Sequence, residues 1–298
     1  MTPTTANGQA TLEELEHLAR RGRWLVLKTV AESKAGHVGG PLSAMDLLVA
    51  LFFHSLRIRP HEPDWAERDR FILSKGHSAI GLYAVMALRG YFPTEELATF
   101  DEIDSRLQGH PDMTRLPGLD ASTGSLGQGL SVGLGMALGA QLAGHPAHTW
   151  VMLGDGELQE GMVWEAVHVA ARYRLHNLTA IIDLNGLQQY GWPARAGGDR
   201  GDRLEPWADT DLALVLRAFG WRVIEIDGHD LPQILGAYRL ARARVADPRP
   251  TALLAHTVKG KGLSFAEGTH AWHTGIADAG QLQQARVELD IAEETAPE

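Results

Sequence analysis

A strand–helix–strand pattern in the middle of the chain constrains the fold more than any other feature. Two short apolar runs, residues 149–153 and 178–182, flank an amphipathic stretch from Leu158 to Tyr173. A helix between two strands returns the chain parallel to its starting direction, and such crossovers are almost always right-handed. The pattern therefore predicts two neighbouring parallel strands with a helix packed against them.

Polar residues follow each of these two apolar runs. Gly154-Asp155-Gly156 comes directly after the first, and Asn185 comes after the second. Because the carboxyl ends of parallel strands meet at one edge of a sheet, we expect Asp155 and Asn185 to lie side by side there. Their oxygens and the Leu187 carbonyl suit Mg²⁺ or Ca²⁺, and the glycines let the backbone approach a diphosphate. An isolated triplet would indicate only a tight turn, but the combination favours a metal–diphosphate site.

The rest of the chain alternates between the same two kinds of element. Further strands are predicted over 70–73, 221–226 and 251–255, and helices over 12–32, 43–56, 79–89, 130–142 and 231–245. Before the second of these helices lies a glycine-rich loop, residues 36–41, with Ser43 as the expected N-cap. This alternation predicts an α/β fold, a parallel sheet with helices on both faces.

Length and composition limit the class of protein. The 298 residues are 44% apolar, which is enough for one large domain over 1–298, with a flexible N-terminus at 1–11 and a loosely docked acidic tail at 281–298. A net charge of −10 argues against nucleic acid as the partner. The absence of cysteine excludes disulfides and thiolate chemistry. With no membrane-spanning apolar run, we expect a soluble cytoplasmic protein.

Five histidines lie in glycine-containing loops rather than on helices. They are His37, His77, His110, His270 and His273. Any one of them alone is most simply a surface or capping residue, but five in similar settings favour a polar cleft that binds hydroxyls and moves protons. The remaining helix and turn histidines, including His148, are interpreted as structural or surface residues. No suitably spaced histidine pair occurs on a predicted helix, which argues against zinc.

Two further groups of charged residues leave alternatives open. Glu160 and Glu165 lie on the crossover helix, either on a solvated helix face or directed toward the sheet edge and a partner surface. Lys259 and Lys261 follow the last predicted strand and form either a solvated loop or part of the mouth of the site. The residue pattern does not decide between the two interpretations of the glutamates, and it slightly favours the mouth of the site for the lysine loop.

Seven segments together resemble the N-terminal, diphosphate-binding half of transketolases, and most closely the separately encoded N-terminal subunit of split transketolases. The resemblance spans roughly Leu12 to Ala277 and keeps both order and spacing. Its segments are residues 33–48, 68–83, 105–113, 122–140, 154–166, 181–188 and 255–273. Several ordered motifs are far more specific than a single glycine-flanked aspartate.

The resemblance implies a thiamine diphosphate-binding fold whose cofactor is held through Mg²⁺, or Ca²⁺ or Mn²⁺. Asp155, Asn185 and the Leu187 carbonyl resemble the metal ligands. The cofactor contacts it implies are His77, Gly124, Ser125, Leu126, Gly154, Asp155, Gly156, Glu157, Asn185 and His273. His37, His110 and His273 resemble residues that bind sugar hydroxyls and assist proton transfer, and Glu160 and Glu165 resemble carboxylates that link two cofactor sites across a subunit interface.

The resemblance also implies a reaction and a partner. The reaction is transfer of a two-carbon ketol unit from a ketose or ketose phosphate to an aldose or other aldehyde. The partner is a C-terminal subunit that carries the pyrimidine-binding domain, the activating glutamate and the phosphate-binding residues, in an α₂β₂ assembly. Three alternatives remain: 2-oxoacid decarboxylation or acyloin formation, two-carbon transfer in specialised metabolism, and a non-catalytic scaffold subunit.

Overall fold

The sheet at the centre of the molecule is parallel throughout. The computed structural model describes residues 10–189, 207, 210–243 and 247–292. Within them, five strands form one sheet: β1 (Arg70–Leu73), β2 (Thr149–Gly154), β3 (Leu178–Leu184), β4 (Arg222–Asp227) and β5 (Thr251–His256). The spatial order is β1-β2-β3-β5-β4, and each neighbouring pair is parallel. The parallel sheet predicted from the sequence is confirmed, with β5 inserted between β3 and β4.

Helices connect the strands. They are α1 (Leu12–Ser33), α2 (Gly39–Ser43), α3 (Met45–Ala50), α4 (Ala79–Arg89), α5 (Gly129–Leu142), α6 (Gly161–Arg172), α7 (Leu212–Ala218), α8 (Leu231–Arg242) and α9 (Ala279–Glu288). A π-helical turn, Leu51–Ser55, continues α3. Among the described residues, no helix is both long and apolar enough to cross a bilayer.

Both faces of the sheet are buried under helices, as predicted. Along β2, Trp150 and Met152 pack into one apolar cluster with residues of α1, α3, α4 and α8. The alternate residues Val151 and Leu153 pack into a second cluster with residues of α5, α6 and α7. Since successive side chains of a strand point to opposite faces, a strand between two layers must be apolar at every position. This explains the unbroken apolar runs of the sequence.

The start of the second helix differs from the prediction. α2 begins at Gly39, inside the expected loop, so Ser43 lies within a helix and is not an N-cap. Its hydroxyl donates to Asp183 Oδ2 at 2.6 Å. A Cβ atom on Gly40 would lie 2.9 Å from Ser78 Oγ. Close packing, for which only glycine is small enough, therefore overrides the low helix propensity of glycine.

Both predicted chain ends also need correction where they are described. Ala10 N–H donates to the Phe53 carbonyl at 3.4 Å, and Thr11 forms a capping box at the start of α1. The flexible segment expected over 1–11 therefore does not include these two residues, and residues 1–9 lie outside the described part.

The expected loosely docked tail begins inside a packed helix. A capping box between Asp278 and Gln281 starts α9, and Ala285 and Leu289 are buried against the core. Loose docking is therefore wrong for this part of the tail, because α9 packs against α1 through buried apolar residues, although Val287 is exposed. Residues 293–298 lie outside the described part.

Candidate active site

The carboxyl ends of β2 and β3 bring the predicted metal ligands together. Gly186 N–H, directly after Asn185, donates to Asp155 Oδ2 at 2.7 Å, and Gly156 N–H donates to Asp155 Oδ1 at 2.7 Å. The Asn185 side-chain oxygen accepts from Leu187 N–H at 3.1 Å. The adjacency expected from the crossover pattern is therefore present, and backbone amides fix the orientation of both side chains.

A cavity of about 380 Å³ opens at this edge of the sheet. Most residues that the sequence assigned to the site line it: His37, His77, Gly124, Leu126, Gly154, Asp155, Gly156, Glu157, Glu160, Asn185, Leu187 and His273. Six further residues also line it: Gly40, Lys75, Gln159, Gln188, Gln189 and Lys259. The cavity thus collects residues from several separate segments of the chain.

Some candidate residues lie at or beyond the rim. His110 is exposed, with its ring centroid 6.3 Å from that of His37. Ser125 and Glu165 are exposed and do not line the cavity, and neither does His270. Of the two glutamates left open by the sequence, the structure brings only Glu160 to the cavity, whereas Glu165 lies on the outer face of α6.

Three histidine rings meet inside the cavity. The His37 centroid lies 5.2 Å from that of His77 and 4.9 Å from that of His273. Burial, reinforced by nearby Lys75 and Lys259, lowers the pKa of His77 to about 2 and that of His273 to about 3. The rings are therefore neutral at physiological pH, so each offers one N–H donor and one nitrogen acceptor. His37 Nδ1 is buried and has no hydrogen-bond partner among the described residues.

The chemistry of Asp155 fits a bound cation. The residue is only 4% exposed, and burial, together with neighbouring Asp183, raises its pKa to about 7 in spite of the amide hydrogen bonds. A buried carboxylate without sufficient positive charge is stabilised by a divalent ion. The Asn185 and Leu187 oxygens line the same cavity and complete a set of hard ligands. Among the described residues no group of three or more His, Cys, Asp or Glu side chains is placed to hold a metal.

Asp183 and Lys75 form a buried ion pair below the cavity that sequence reasoning missed. Asp183 accepts from Lys75 Nζ, from the hydroxyls of Ser43 and Thr257, and from Asn185 Nδ2 at 3.3 Å. Although burial opposes ionisation, these partners lower the pKa of Asp183 below its ordinary value. An aspartate inside an apolar strand was the available signal, since a buried acid needs a cationic partner. The contact with Asn185 orients a candidate metal ligand.

Lys259 lies in the cavity, so its loop forms part of the mouth of the site and is not a solvated loop. It is 3% exposed, and its ammonium donates to the Gln188 carbonyl at 3.0 Å and to the Leu187 carbonyl at 3.3 Å. His273 Nδ1 lies 3.1 Å from the same nitrogen. Burial lowers the pKa of Lys259 to about 8. Lys261, two residues later, is half-buried and pairs with a glutamate away from the cavity.

Glu157 ties the loop before α5 to the sheet. Its carboxylate accepts from Gly127 N–H at 2.9 Å, from Gly154 N–H at 3.2 Å and from the Ser74 hydroxyl. Burial raises its pKa. These bonds hold the segment that carries Gly124 and Leu126 against the end of β2, and thus shape one wall of the cavity.

Sequence comparison identifies the family. Residues 15–296 match the family described as "Transketolase, thiamine diphosphate binding domain". A 6-deoxy-6-sulfo-D-fructose transketolase subunit of a Clostridium species is 44% identical over 87% of this chain and 90% of that protein. An apulose-4-phosphate transketolase subunit from Phocaeicola vulgatus is 38% identical over 92% of this chain and 93% of that protein.

Longer transketolases match over part of their length. Human transketolase is 36% identical over 89% of this chain, which covers 40% of that protein. Among solved structures, a transketolase from Pichia stipitis superposes with a TM-score of 0.83 at 31% identity, over 93% of this chain and 41% of that one. One from Campylobacter jejuni gives a TM-score of 0.83 at 29% identity, over 94% and 43%. Together with the cavity at the carboxyl edge of the sheet, these matches show that the chain belongs to the transketolase family and comprises its thiamine diphosphate-binding domain.

Proposed function

We propose that this chain is the thiamine diphosphate-binding subunit of a transketolase-type enzyme, which transfers a two-carbon ketol unit from a ketose or its phosphate to an aldose or other aldehyde. The observation that carries the proposal is Asp155, a buried carboxylate with a raised pKa, beside Asn185 in a cavity lined with histidine and lysine. Family membership supports the cofactor, and the names of two relatives support ketol transfer by an enzyme made of separate subunits.

In this proposal Asp155, Asn185 and the Leu187 carbonyl hold Mg²⁺, with Ca²⁺ or Mn²⁺ as substitutes. The ion would neutralise charge on the diphosphate, and Lys259, whose ammonium contacts the Leu187 carbonyl in this structure, would supply a second positive charge beside it. His77, His273 and the backbone near Gly154 and Gly156 contact the diphosphate. Gly124 and Leu126, with neighbouring Ser125, form the strip beside the aminopyrimidine, and Glu157 supports that strip.

When bound, the cofactor supplies a carbon nucleophile that accepts and then releases the two-carbon unit. The contribution of this chain is to bind sugar hydroxyls and to move protons. His37 and His273 are neutral rings inside the cavity. Because the Lys259 ammonium donates to His273 Nδ1, the remaining His273 N–H donates to a sugar hydroxyl, whereas His37 can donate or accept. His110 at the rim reaches the part of a sugar that extends out of the cavity.

We further propose a pyrimidine-domain partner subunit in an α₂β₂ assembly, acting in the cytoplasm. The chain spans about 40% of the longer transketolases, and its relatives of matching length are named as subunits. Leu126, Val132 and Met162 are apolar and between 37% and 41% exposed close to the cavity. Glu160 lines the cavity and Glu165 is exposed on the outer face of α6, where the partner subunit would meet it.

The donor sugar is proposed only by class. The names of two relatives specify a sugar with a terminal sulfonate and a sugar with a phosphate. We therefore expect a ketose that carries an anionic group at the end distant from its carbonyl. The charge would be recognised mainly on the partner subunit, since the cationic side chains of this cavity are buried next to the expected diphosphate position.

The deciding experiment is calorimetric titration of thiamine diphosphate with Mg²⁺, into this chain alone and into its mixture with the candidate partner. A ketol-transfer assay on the same samples accompanies it. Tight binding with transfer only in the mixture supports the proposal. Binding without transfer from xylulose 5-phosphate points to another donor or another reaction of the same cofactor. Absence of binding in both samples contradicts the proposal and favours a scaffold subunit.

A further inference from the structure

A buried acid–imidazole pair lies outside the cavity and contacts a loop that enters it. We propose that Asp46 and His229, termed the Asp46–His229 pair, position the loop of residues 257–260 so that Lys259 reaches the cofactor site. The inference rests on the proposed function, because it assigns these residues a role in loading the same site. Neither residue lines the cavity, so they are positioning residues and not catalytic ones.

Asp46 is held as a carboxylate by two partners. Arg23 donates from Nη1 to Oδ1 at 3.1 Å and from Nη2 to Oδ2 at 2.5 Å. His229 Nδ1 lies 2.7 Å from Oδ2. Burial opposes ionisation, but the guanidinium and the imidazole together lower the pKa of Asp46. An ionised carboxylate can only accept, so the proton of a neutral His229 ring is on Nδ1.

The opposite ring nitrogen is therefore free to accept. Val258 N–H donates to His229 Nε2 at 2.8 Å. Because Asp46 fixes the position of the proton on the ring, it also fixes the ring orientation that receives the Val258 amide. The result is a continuous chain of contacts from α1 through α3 and the loop after β4 to the loop after β5.

The residues on either side of Val258 both contact residues of the cavity or of the ion pair below it. Thr257 donates its hydroxyl to Asp183, and Lys259 donates to the Leu187 carbonyl. The ends of the loop are fixed separately, by Thr257 N–H to the Leu184 carbonyl at 3.1 Å and Gly260 N–H to the Gly39 carbonyl at 3.1 Å. In the middle of the loop, the Val258 carbonyl accepts from Lys261 N–H at 3.1 Å and the Lys259 carbonyl accepts from Gly268 N–H at 2.9 Å. The bond from Val258 N–H to His229 adds a side-chain contact one residue away from Lys259.

Gly228 gives independent support for close packing between the loop after β4 and the loop after β5. A Cβ atom at this position would lie 2.4 Å from Thr257 Cγ2, and 3.1 Å from the His256 carbonyl oxygen, to which Gly228 N–H donates. Any larger residue would separate the loops. Glycine here lets the histidine approach closely enough to bind the Val258 amide.

Two replacements of the same histidine separate positioning from general stability. In His229→Gln the carboxamide reaches the Nε2 position and can accept from Val258, whereas in His229→Asn it reaches only the Nδ1 position and contacts Asp46. Both variants lose the imidazole ring, so their denaturation midpoints should fall by similar amounts. The measurements are hydrogen exchange of the peptide that contains Val258 and calorimetric affinity for thiamine diphosphate with Mg²⁺, using the full chain.

We expect the asparagine variant to exchange the Val258 amide about tenfold faster and to bind the cofactor about tenfold more weakly, with the glutamine variant within about threefold of wild type. Equal exchange and equal affinity in the two variants, at matched stability, would overturn the inference. If the unmodified chain binds the cofactor neither alone nor mixed with the candidate partner, the proposed function fails, and the exchange measurement still decides whether His229 positions the loop.

Discussion

Asp69 at the amino end of the sheet and Asp155 at the carboxyl end are buried acids in opposite electrostatic settings. At the amino end, Asp69 is fully buried, and it accepts from Arg57 N–H at 2.8 Å, His148 N–H at 3.0 Å and the Arg242 guanidinium. Burial opposes its ionisation, but these partners lower its pKa. At the carboxyl end, Asp155 is also buried, yet its pKa is raised to about 7. The negative charge of Asp69 is thus fully compensated by its neighbours, whereas that of Asp155 is only partly compensated.

The difference shows that burial alone does not mark a functional acid. A structural acid has its charge neutralised within the chain, whereas a ligand-binding acid keeps a deficit that the ligand removes. The cations behave in the same way: Lys259 in the cavity has a lowered pKa, because burial is not offset by its neighbours. Asp155 and Lys259 at the carboxyl end of the sheet are both unbalanced in this way, whereas Asp183 at the same end is compensated within the chain.

The largest expected effect is loss of cofactor affinity when the buried acid at the carboxyl end of the sheet is removed. Replacing Asp155 by alanine should weaken Mg²⁺-dependent binding of thiamine diphosphate by at least about 10³-fold, equivalent to about 4 kcal/mol. The free energy of unfolding of the chain without cofactor should change by less than about 1 kcal/mol, because loss of two hydrogen bonds is offset by removal of an uncompensated buried charge. Calorimetry and urea denaturation measure the two quantities. Unchanged cofactor affinity in this variant would contradict the assigned site.

Replacement of Asp69 should have a smaller effect of the opposite kind, lowering stability and leaving cofactor affinity unchanged. Asp69→Asn leaves the charges of Arg57 and Arg242 without their partner, so the free energy of unfolding should fall by about 3 kcal/mol. Cofactor affinity under native conditions should stay within about twofold of wild type, because the residue lies at the far end of the sheet. The comparison between the two ends breaks down if this variant loses affinity while keeping its stability.

The smallest effect concerns pH at the amino end. Burial lowers the pKa of His148 to about 3, whereas the unfolded chain has the ordinary value of 6.5. Above pH 6.5 both states are neutral and the residue contributes no pH dependence. As the pH falls from 6.5 toward 3, only the unfolded state gains the proton, so stability falls by about 1.4 kcal/mol per pH unit from this residue alone.

Urea denaturation between pH 5 and 6.5 measures this slope. The His148→Gln variant keeps a group that can contact Thr179, whose hydroxyl lies 2.8 Å from His148 Nε2, but it has no titratable proton. Its stability should therefore depend less steeply on pH than that of wild type. Identical slopes for the two proteins would mean that His148 is not kept neutral by the fold.

The sequence predicted those parts of the molecule that depend on regular patterns. All five strands of the described sheet were predicted within two residues at each end, because strands buried on both faces give unbroken apolar runs. The positions of Asp155 and Asn185 followed from the crossover. Short-range packing was not predictable in this way: α2 begins at Gly39 because its glycines face other segments at close distance.

Buried charges were the second limit of sequence-based prediction. Lys75 and Asp183 are 108 positions apart, and nothing in either local pattern indicates that they pair. The same holds for Asp46 and His229, which are 183 positions apart. A charged residue within an apolar element signals that some partner exists, but the identity of that partner depends on the three-dimensional fold.

The inserted position of β5 has a consequence for synthesis on the ribosome. β4 is made before β5, yet it pairs only with β5 in the described sheet, so it has no strand partner until residues 251–256 have emerged. The cavity closes later still, because Val38 N–H, near the start of the chain, donates to the His273 carbonyl at 3.1 Å. A nascent chain that ends before residue 251 exposes β4 as an unpaired strand, which makes it a target for chaperones and for misassembly until β5 has been made.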